Sequence, residues 1–193
     1  MQLFETIRIE NGQAWHLAYH TARFNTTRKA LFGIDTPHNL SDALTKIPPH
    51  GLYRARLVYN DSHITVTYHP YTAKKIRKIK LLSSPISYPY KYNDRTTLDT
   101  LLKSHPTYDE ILIIQDGLLT DTTIANIVLQ KEGNWYTPKT PLLSGTTRAR
   151  LLDEGKLIER DIKPSEIDEY DSVALMNAMI GFTILDKEIE ICP

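Results

Sequence analysis

Four dipeptides constrain this chain most: Asn11-Gly12, Asn60-Asp61, Asp116-Gly117 and Glu132-Gly133, each lying between runs rich in β-branched, aromatic or leucine residues. Asparagine, aspartate and glycine suit the tight turns that join two antiparallel strands, so such a dipeptide between two β-forming runs predicts a hairpin. Residues 3–9 alternate and predict a strand, with 13–17 returning as its partner. Helical spacing follows over 20–32 and stops at Gly33, a favoured helix C-terminal residue. Residues 40–47 predict a short second helix ended by Pro48-Pro49, and 52–59 with 63–68 form the second hairpin. This first stretch reads as a small α+β layer.

Pro70 and then a run of charge place a connection over 69–75, giving an N-terminal domain of 1–72 and a second of 73–193. In the second, strands are predicted over 76–83, 110–115, 124–130, 134–137, 172–176 and 181–184, and helices over 94–103 and 147–153. Residues 88–92 are an irregular aromatic approach to a helix. No internal repeat is visible.

Composition excludes several classes. Hydrophobic residues make up 41% of the 193, enough for a packed core. Lys plus Arg and Asp plus Glu both number 23, and a net charge of zero argues against a dedicated nucleic-acid binder. Cys192 is the only cysteine, so no disulfide within the chain and no cysteine-based metal site is expected. The start, MQLFETIRIENG, lacks the basic and apolar regions of a signal peptide, and no apolar run approaches a membrane span. A soluble, cytoplasmic protein without metal is the expectation.

Several residues are candidates for chemistry, each with a plainer reading. Lys91 lies among Tyr88, Tyr90 and Tyr92. Partial desolvation there would favour the neutral, nucleophilic amine, although a surface lysine covering tyrosine faces fits as well. Ser144-Gly145-Thr146-Thr147 leads into a helix, whose start suits either a phosphate or ordinary capping. Asp121 stands at a strand entrance, where it faces a ring nitrogen or simply solvates a turn. Arg23 on the first helix suits a phosphate or a surface ion pair. Arg54 and Arg56 share a strand face and suit a substrate carboxylate or the sheet edge. The basic run over 74–80 alternates with isoleucine, as a half-buried strand with a solvated face does.

Taken in order, these pieces resemble the class IV, fold type IV, pyridoxal-phosphate enzymes. Phe4-Glu5-Thr6-Ile7-Arg8 is similar to the family's first active-site strand. His20-Thr21-Ala22-Arg23 is similar to its His-x-x-Arg helix, and Lys91-Tyr92-Asn93-Asp94-Arg95 to the segment holding its Schiff-base lysine. Asp116-Gly117 through Asn126 resembles its D-G-x-x-T-E-x-x-x-x-N stretch, with Asp121 where the family usually has Glu. Thr137-Pro138 and Leu142 to Arg148 resemble its T-P and L-x-G-x-T-R elements, and Asn177-Ala178 a late loop near the phosphate.

The resemblance implies a two-domain α+β and α/β fold: a small N-terminal α+β domain and a larger, barrel-like C-terminal domain, usually in a homodimer. It implies pyridoxal 5'-phosphate (PLP) on Lys91, held by Arg23, Asp121, Thr146, Thr147, Asn177 and Ala178. Arg8 and Arg56 would bind a small-molecule amino substrate. With Met1 so close to the Phe4 strand, the opening hairpin of many relatives has no counterpart. The Lys-x-x-x-Arg segment and the small size look most like aminodeoxychorismate lyases, which make 4-aminobenzoate in folate biosynthesis. Aminotransferases for branched-chain or D-amino acids are the alternative, and a catalytically silent relative a third.

Overall fold

The turn dipeptides do set hairpins. Asn11 and Gly12 take φ of 48° and 82°, Asp116 and Gly117 50° and 78°, and Glu132 and Gly133 52° and 78°. These are the left-handed pairs that two-residue turns demand. At the remaining turn the Asn60 side-chain oxygen accepts from the Ser62 and His63 amides. The computed structural model describes residues 1–193 and divides into two units. The first is Met1–Ala73 with Tyr90–Asp94; the second is Lys74–Pro89 with Arg95–Pro193.

The first unit holds β1 (Leu3–Glu10), β2 (Gln13–Ala14), α1 (Leu17–Phe32), β3 (Leu52–Tyr59) and β4 (Ile64–Pro70). Its antiparallel sheet runs β2-β1-β3-β4. Because side chains alternate across a strand, Leu3, Ile7 and Ile9 share one face with Ala55, Leu57 and Tyr59. That face is buried with Phe24 of α1 and with Leu40, and the Phe24 and Tyr59 rings lie 4.5 Å apart.

Three expectations are corrected here. The return strand is only two residues long, because the chain turns at His16 with φ of 52° and α1 starts at Leu17, earlier than expected. The second helix shrinks to one 3₁₀ turn, Leu40–Asp42, capped by Asn39; positive φ at Lys46 ends any continuation. The Tyr90–Asp94 segment lies with the first unit and not with the residues flanking it. The reason is backbone pairing: Phe4 donates to Lys91, Asn93 donates to Gln2, and Leu3 bridges Tyr92.

The second unit contains β5 (Lys78–Ser83), α2 (Thr96–Lys103), β6 (Glu110–Gln115), β7 (Leu118–Thr122) and β8 (Asn126–Lys131). It continues with β9 (Asn134–Pro138), α3 (Thr146–Asp153), β10 (Ile158–Arg160), β11 (Ser172–Asn177), β12 (Gly181–Ile184) and β13 (Glu190–Cys192). The strand path is β10-β9-β8-β7-β6-β5-β13, with β11 on β8 and β12 on β11, and its two ends do not pair. In β8, Ile127 and Leu129 enter one apolar cluster with Leu112 and Leu175, while Val128 enters another with Leu151 and Met176. Both faces of β8 are therefore covered, which explains its unbroken apolar run. No helix is long and apolar enough to cross a membrane.

Phe24→Ala should lower the unfolding free energy by about 3–5 kcal/mol, as expected for loss of a fully buried aromatic side chain. Urea denaturation followed by circular dichroism checks this.

Candidate active site

The candidate residues fall into two groups, one in each unit. In the first unit the backbone bonds at Phe4 and Gln2 seat Lys91 on the free edge at the start of β1. Lys91 Nζ then lies 4.7 Å from the centroid of the Phe4 ring. The same ring carries the Arg56 guanidinium at 4.1 Å. Arg56 donates to Asn93 Oδ1 at 2.6 Å, so the segment after Lys91 is tied to the central strand. Tyr90 and Tyr92 pack edge to face, whereas Tyr88 belongs to the second unit and meets Arg95 there. The aromatic surface under the amine is thus Phe4, which local sequence around Lys91 does not reveal.

Register places Phe4, Thr6 and Arg8 on the sheet face opposite α1, together with Arg54 and Arg56. Arg8 sits directly across from Arg54 and is paired with Glu10 at 3.0 Å. Arg54 finds no acceptor, and its Nε is buried. One face therefore carries three guanidinium groups, with the Lys91 amine over the Phe4 ring of the same face, in a chain whose charges balance.

On the other face, Glu5 occupies a fully buried position where alternation leads one to expect an apolar residue. His20 Nδ1 lies 2.7 Å from Glu5 Oε2, and Arg23 donates through Nε at 2.9 Å and Nη2 at 2.5 Å. Burial alone would push the Glu5 carboxyl up, but the Arg23 charge and the bonds from His20 and Arg23 hold it at about 2. Burial moves His20 the other way, below its ordinary value, so it is neutral near pH 7. Arg23 is thereby fixed in orientation by a bidentate ion pair. His16 and His20 are four residues apart, but His16 lies outside the helix and His20 is committed to Glu5.

In the second unit Asp121 is buried near the end of β7. Its Oδ1 accepts from Asn126 Nδ2 at 2.7 Å and its Oδ2 from the Leu143 amide at 2.9 Å. Asn126 Nδ2 also reaches the Leu143 carbonyl at 2.9 Å. Burial pushes Asp121 up to about 6, although these bonds and the charge of Arg148, which makes no ion pair with it, pull the other way. The Leu143 loop leads into α3, whose start at Gly145 has no side-chain cap and no acidic residue in its first turn. The N–H groups at that start remain open to an anion. Thr146 and Thr147 there are buried, while Arg148 is spent on the Pro138 carbonyl and Glu159. The Asn177 side chain donates to the Ile124 carbonyl and accepts from the Met179 and Ile180 amides, and Ala178 lies in the turn it closes.

Glu5, Asn126 and Gly145 lie in segments that resemble the family, but the sequence assigns none of them a role of its own. Glu5 had a signal, since strict alternation in β1 puts it among core positions. The reason for glycine at 145 had no local signal: its φ is ordinary, and only the fold shows that a Cβ would stand 1.9 Å from Asn126 Oδ1.

The family model for class IV amino-transferases matches residues 2–187. The chain belongs to the class IV aminotransferases. An uncharacterized protein of Haemophilus influenzae is 36% identical over 184 residues, spanning 93% of this chain and 98% of its own. A crystal structure from Haemophilus somnus, provisionally named a 4-amino-4-deoxychorismate lyase, is 37% identical with a TM-score of 0.86. That match covers 93% of this chain and 97% of the other. An aminotransferase from Brucella abortus bound to the cofactor PLP shares the fold alone, at 18% identity and a TM-score of 0.76 over 98% and 81% of the two chains. The mixed α/β architecture is that of fold type IV.

Gly145→Ala should destabilise the second unit by roughly 1–3 kcal/mol, because Asn126 must leave its position to admit the methyl group. A lowered melting temperature with unchanged far-ultraviolet circular dichroism is the expected result. The Glu5 carboxyl titrates near 4.5 when unfolded and about 2 when folded, so the folded state binds fewer protons between these values. Its stabilisation, on the order of 3 kcal/mol, is full above about 4.5 and is lost as pH falls through about 2. Urea titrations from pH 6 to pH 2 should show this loss in the wild type and a flatter dependence in Glu5→Gln.

Proposed function

We propose that this chain is a PLP-dependent 4-amino-4-deoxychorismate lyase. It would convert its substrate to 4-aminobenzoate and pyruvate. The observation that carries this reading is the sheet face bearing Arg8, Arg54 and Arg56 beside the Lys91 amine. A substrate with one amine and two carboxylates matches an amine nucleophile flanked by guanidinium groups. An apolar branched-chain amino acid gives such a face much less to bind. The 37% identity to the Haemophilus somnus protein, over nearly the whole of both chains, supports the same reading.

The residues present fit the cofactor. Asp121 is a buried carboxylate in no ion pair, with only the more distant Arg148 charge acting on it, and a protonated ring nitrogen would supply a direct partner. The uncapped start of α3, with the hydroxyls of Thr146 and Thr147, is suited to a phosphate, as is the oriented guanidinium of Arg23. Asn177 and Ala178, at the turn after β11, would stand beside that phosphate. When bound, PLP supplies an electron sink for the charge left as a proton departs from the substrate.

Lys91 is the residue that would carry the cofactor, and its Nζ would move the proton at the substrate carbon bearing the amine. Asp121 would keep the ring nitrogen protonated. Arg56 and Arg8 would orient the carboxylates, so that loss of the ring proton is matched by departure of the side chain as pyruvate. The same residues permit amino-group transfer to a 2-oxo acid, the reaction for which the family is named.

The test is direct. Purified protein with PLP and 4-amino-4-deoxychorismate should yield 4-aminobenzoate and pyruvate in equal amounts. Lys91→Ala should lose this activity, and borohydride should fix the cofactor on Lys91 in the wild type. Transfer of an amino group from branched-chain or D-amino acids, with no 4-aminobenzoate formed, would replace the lyase reading with the transaminase one.

A further inference from the structure

Between β7 and β8 the chain reverses over residues 122–125. Within this turn Thr122 donates to the Ala125 carbonyl through its amide at 2.9 Å and its hydroxyl at 3.0 Å. Three side chains hold it from outside. Arg95 donates to the Thr123 carbonyl at 2.7 Å, and Asn177 to the Ile124 carbonyl at 3.2 Å. Glu110 is the third and the most deeply buried. Its Oε1 accepts from the Thr123 amide at 3.1 Å, the Thr123 hydroxyl at 2.5 Å and the Ile111 amide at 2.9 Å. The β6–β7 ladder has already ended at Leu112 and Thr122, so no strand carbonyl is available to Thr123. Glu110 supplies the missing acceptor.

We propose that Glu110 is the positioning residue for Asp121. It fixes the turn that joins Asp121 to Asn126, and so sets where that carboxylate stands toward a bound pyridine ring. The assignment rests on the reading of Asp121 as partner of the ring nitrogen. Asp121 and Asn126 are opposed in register and bonded to each other, so a turn that shifts moves both. The role needs an acceptor and not a charge. Glu110 Oε2 is buried with no partner, the Lys74 charge acts on the carboxyl without forming an ion pair, and burial outweighs it and pushes the carboxyl above its ordinary range. Glutamine, with the same shape, keeps the Oε1 acceptor; leucine does not.

The experiment measures PLP affinity and the pH midpoint of the bound-cofactor absorbance. It compares wild type, Glu110→Gln, Glu110→Leu, Asp121→Asn and the Glu110→Leu, Asp121→Asn double variant. Glu110→Gln should stay within about twofold of wild type in affinity. Glu110→Leu should weaken PLP roughly tenfold and move the midpoint in the same direction as Asp121→Asn. On the Asp121→Asn background it should add less than about twofold, because its effect runs through Asp121. Three results overturn the assignment alone: a silent Glu110→Leu, a full multiplicative effect in the double variant, or a Glu110→Gln as damaged as Glu110→Leu. A midpoint unmoved by Asp121→Asn overturns the reading of Asp121 and takes this assignment with it. If Glu110→Leu does not fold, Thr123→Val, which deletes only the hydroxyl, takes its place in every comparison.

Discussion

One side-chain amide organises the second unit around the candidate site. Asn126 Nδ2 bonds both the Asp121 carboxylate and the Leu143 carbonyl, and its Oδ1 rests where a side chain at residue 145 would otherwise stand. The amide therefore locks a strand end to the loop that opens α3. Asp121 returns the tie through its other oxygen to the Leu143 amide. Buried polar groups are costly unless bonded, so this small closed network has few alternative arrangements of similar energy. A carboxylate and an uncapped helix start are thereby held at a fixed spacing within one unit. That is what a rigid, planar ligand with a phosphate at one end requires.

The first unit uses buried charge differently. Glu5, His20 and Arg23 form an ion pair with a neutral histidine inside an otherwise apolar layer. Such a pair adds little stability beyond what apolar packing would give, and removing one partner is expensive. Its clearest product is orientation: the Arg23 fork is fixed by two bonds. The opposite sheet face has the contrary design, with cations crowded together and Arg54 left without an acceptor. Repulsion of that kind is tolerated where an anionic ligand relieves it.

Much of this was legible in the sequence, for reasons that differ by element. Hairpins were legible because left-handed turn residues leave a local signature, as at Asn11-Gly12 and Asp116-Gly117. Strand β7 was not, because Thr120, Asp121 and Thr122 look like a polar turn. Only the folded partners, such as the Ile113 carbonyl that accepts from Thr120, make those side chains acceptable in the interior. The predicted helix over 40–47 failed because its spacing was apolar enough but its capping and the backbone at Lys46 stop it after one turn. Lys91 was found through its family-like neighbourhood, yet the ring beneath it comes from β1 and the tie behind it from β3. Long-range contacts of this sort carry no trace in local spacing.

The bridge between Leu3 and Tyr92 also bears on how the chain acquires its structure during synthesis. Residues 1–73 emerge first with their sheet and helix, but the segment that completes their edge follows only after β5 and its flanks have been made. The lysine is thus synthesised well after the strand it lies beside. The loop that must close is long, and its entropy grows only slowly with length. The first 73 residues leave the ribosome without the Lys91 amine, which follows only once translation has passed into the second unit.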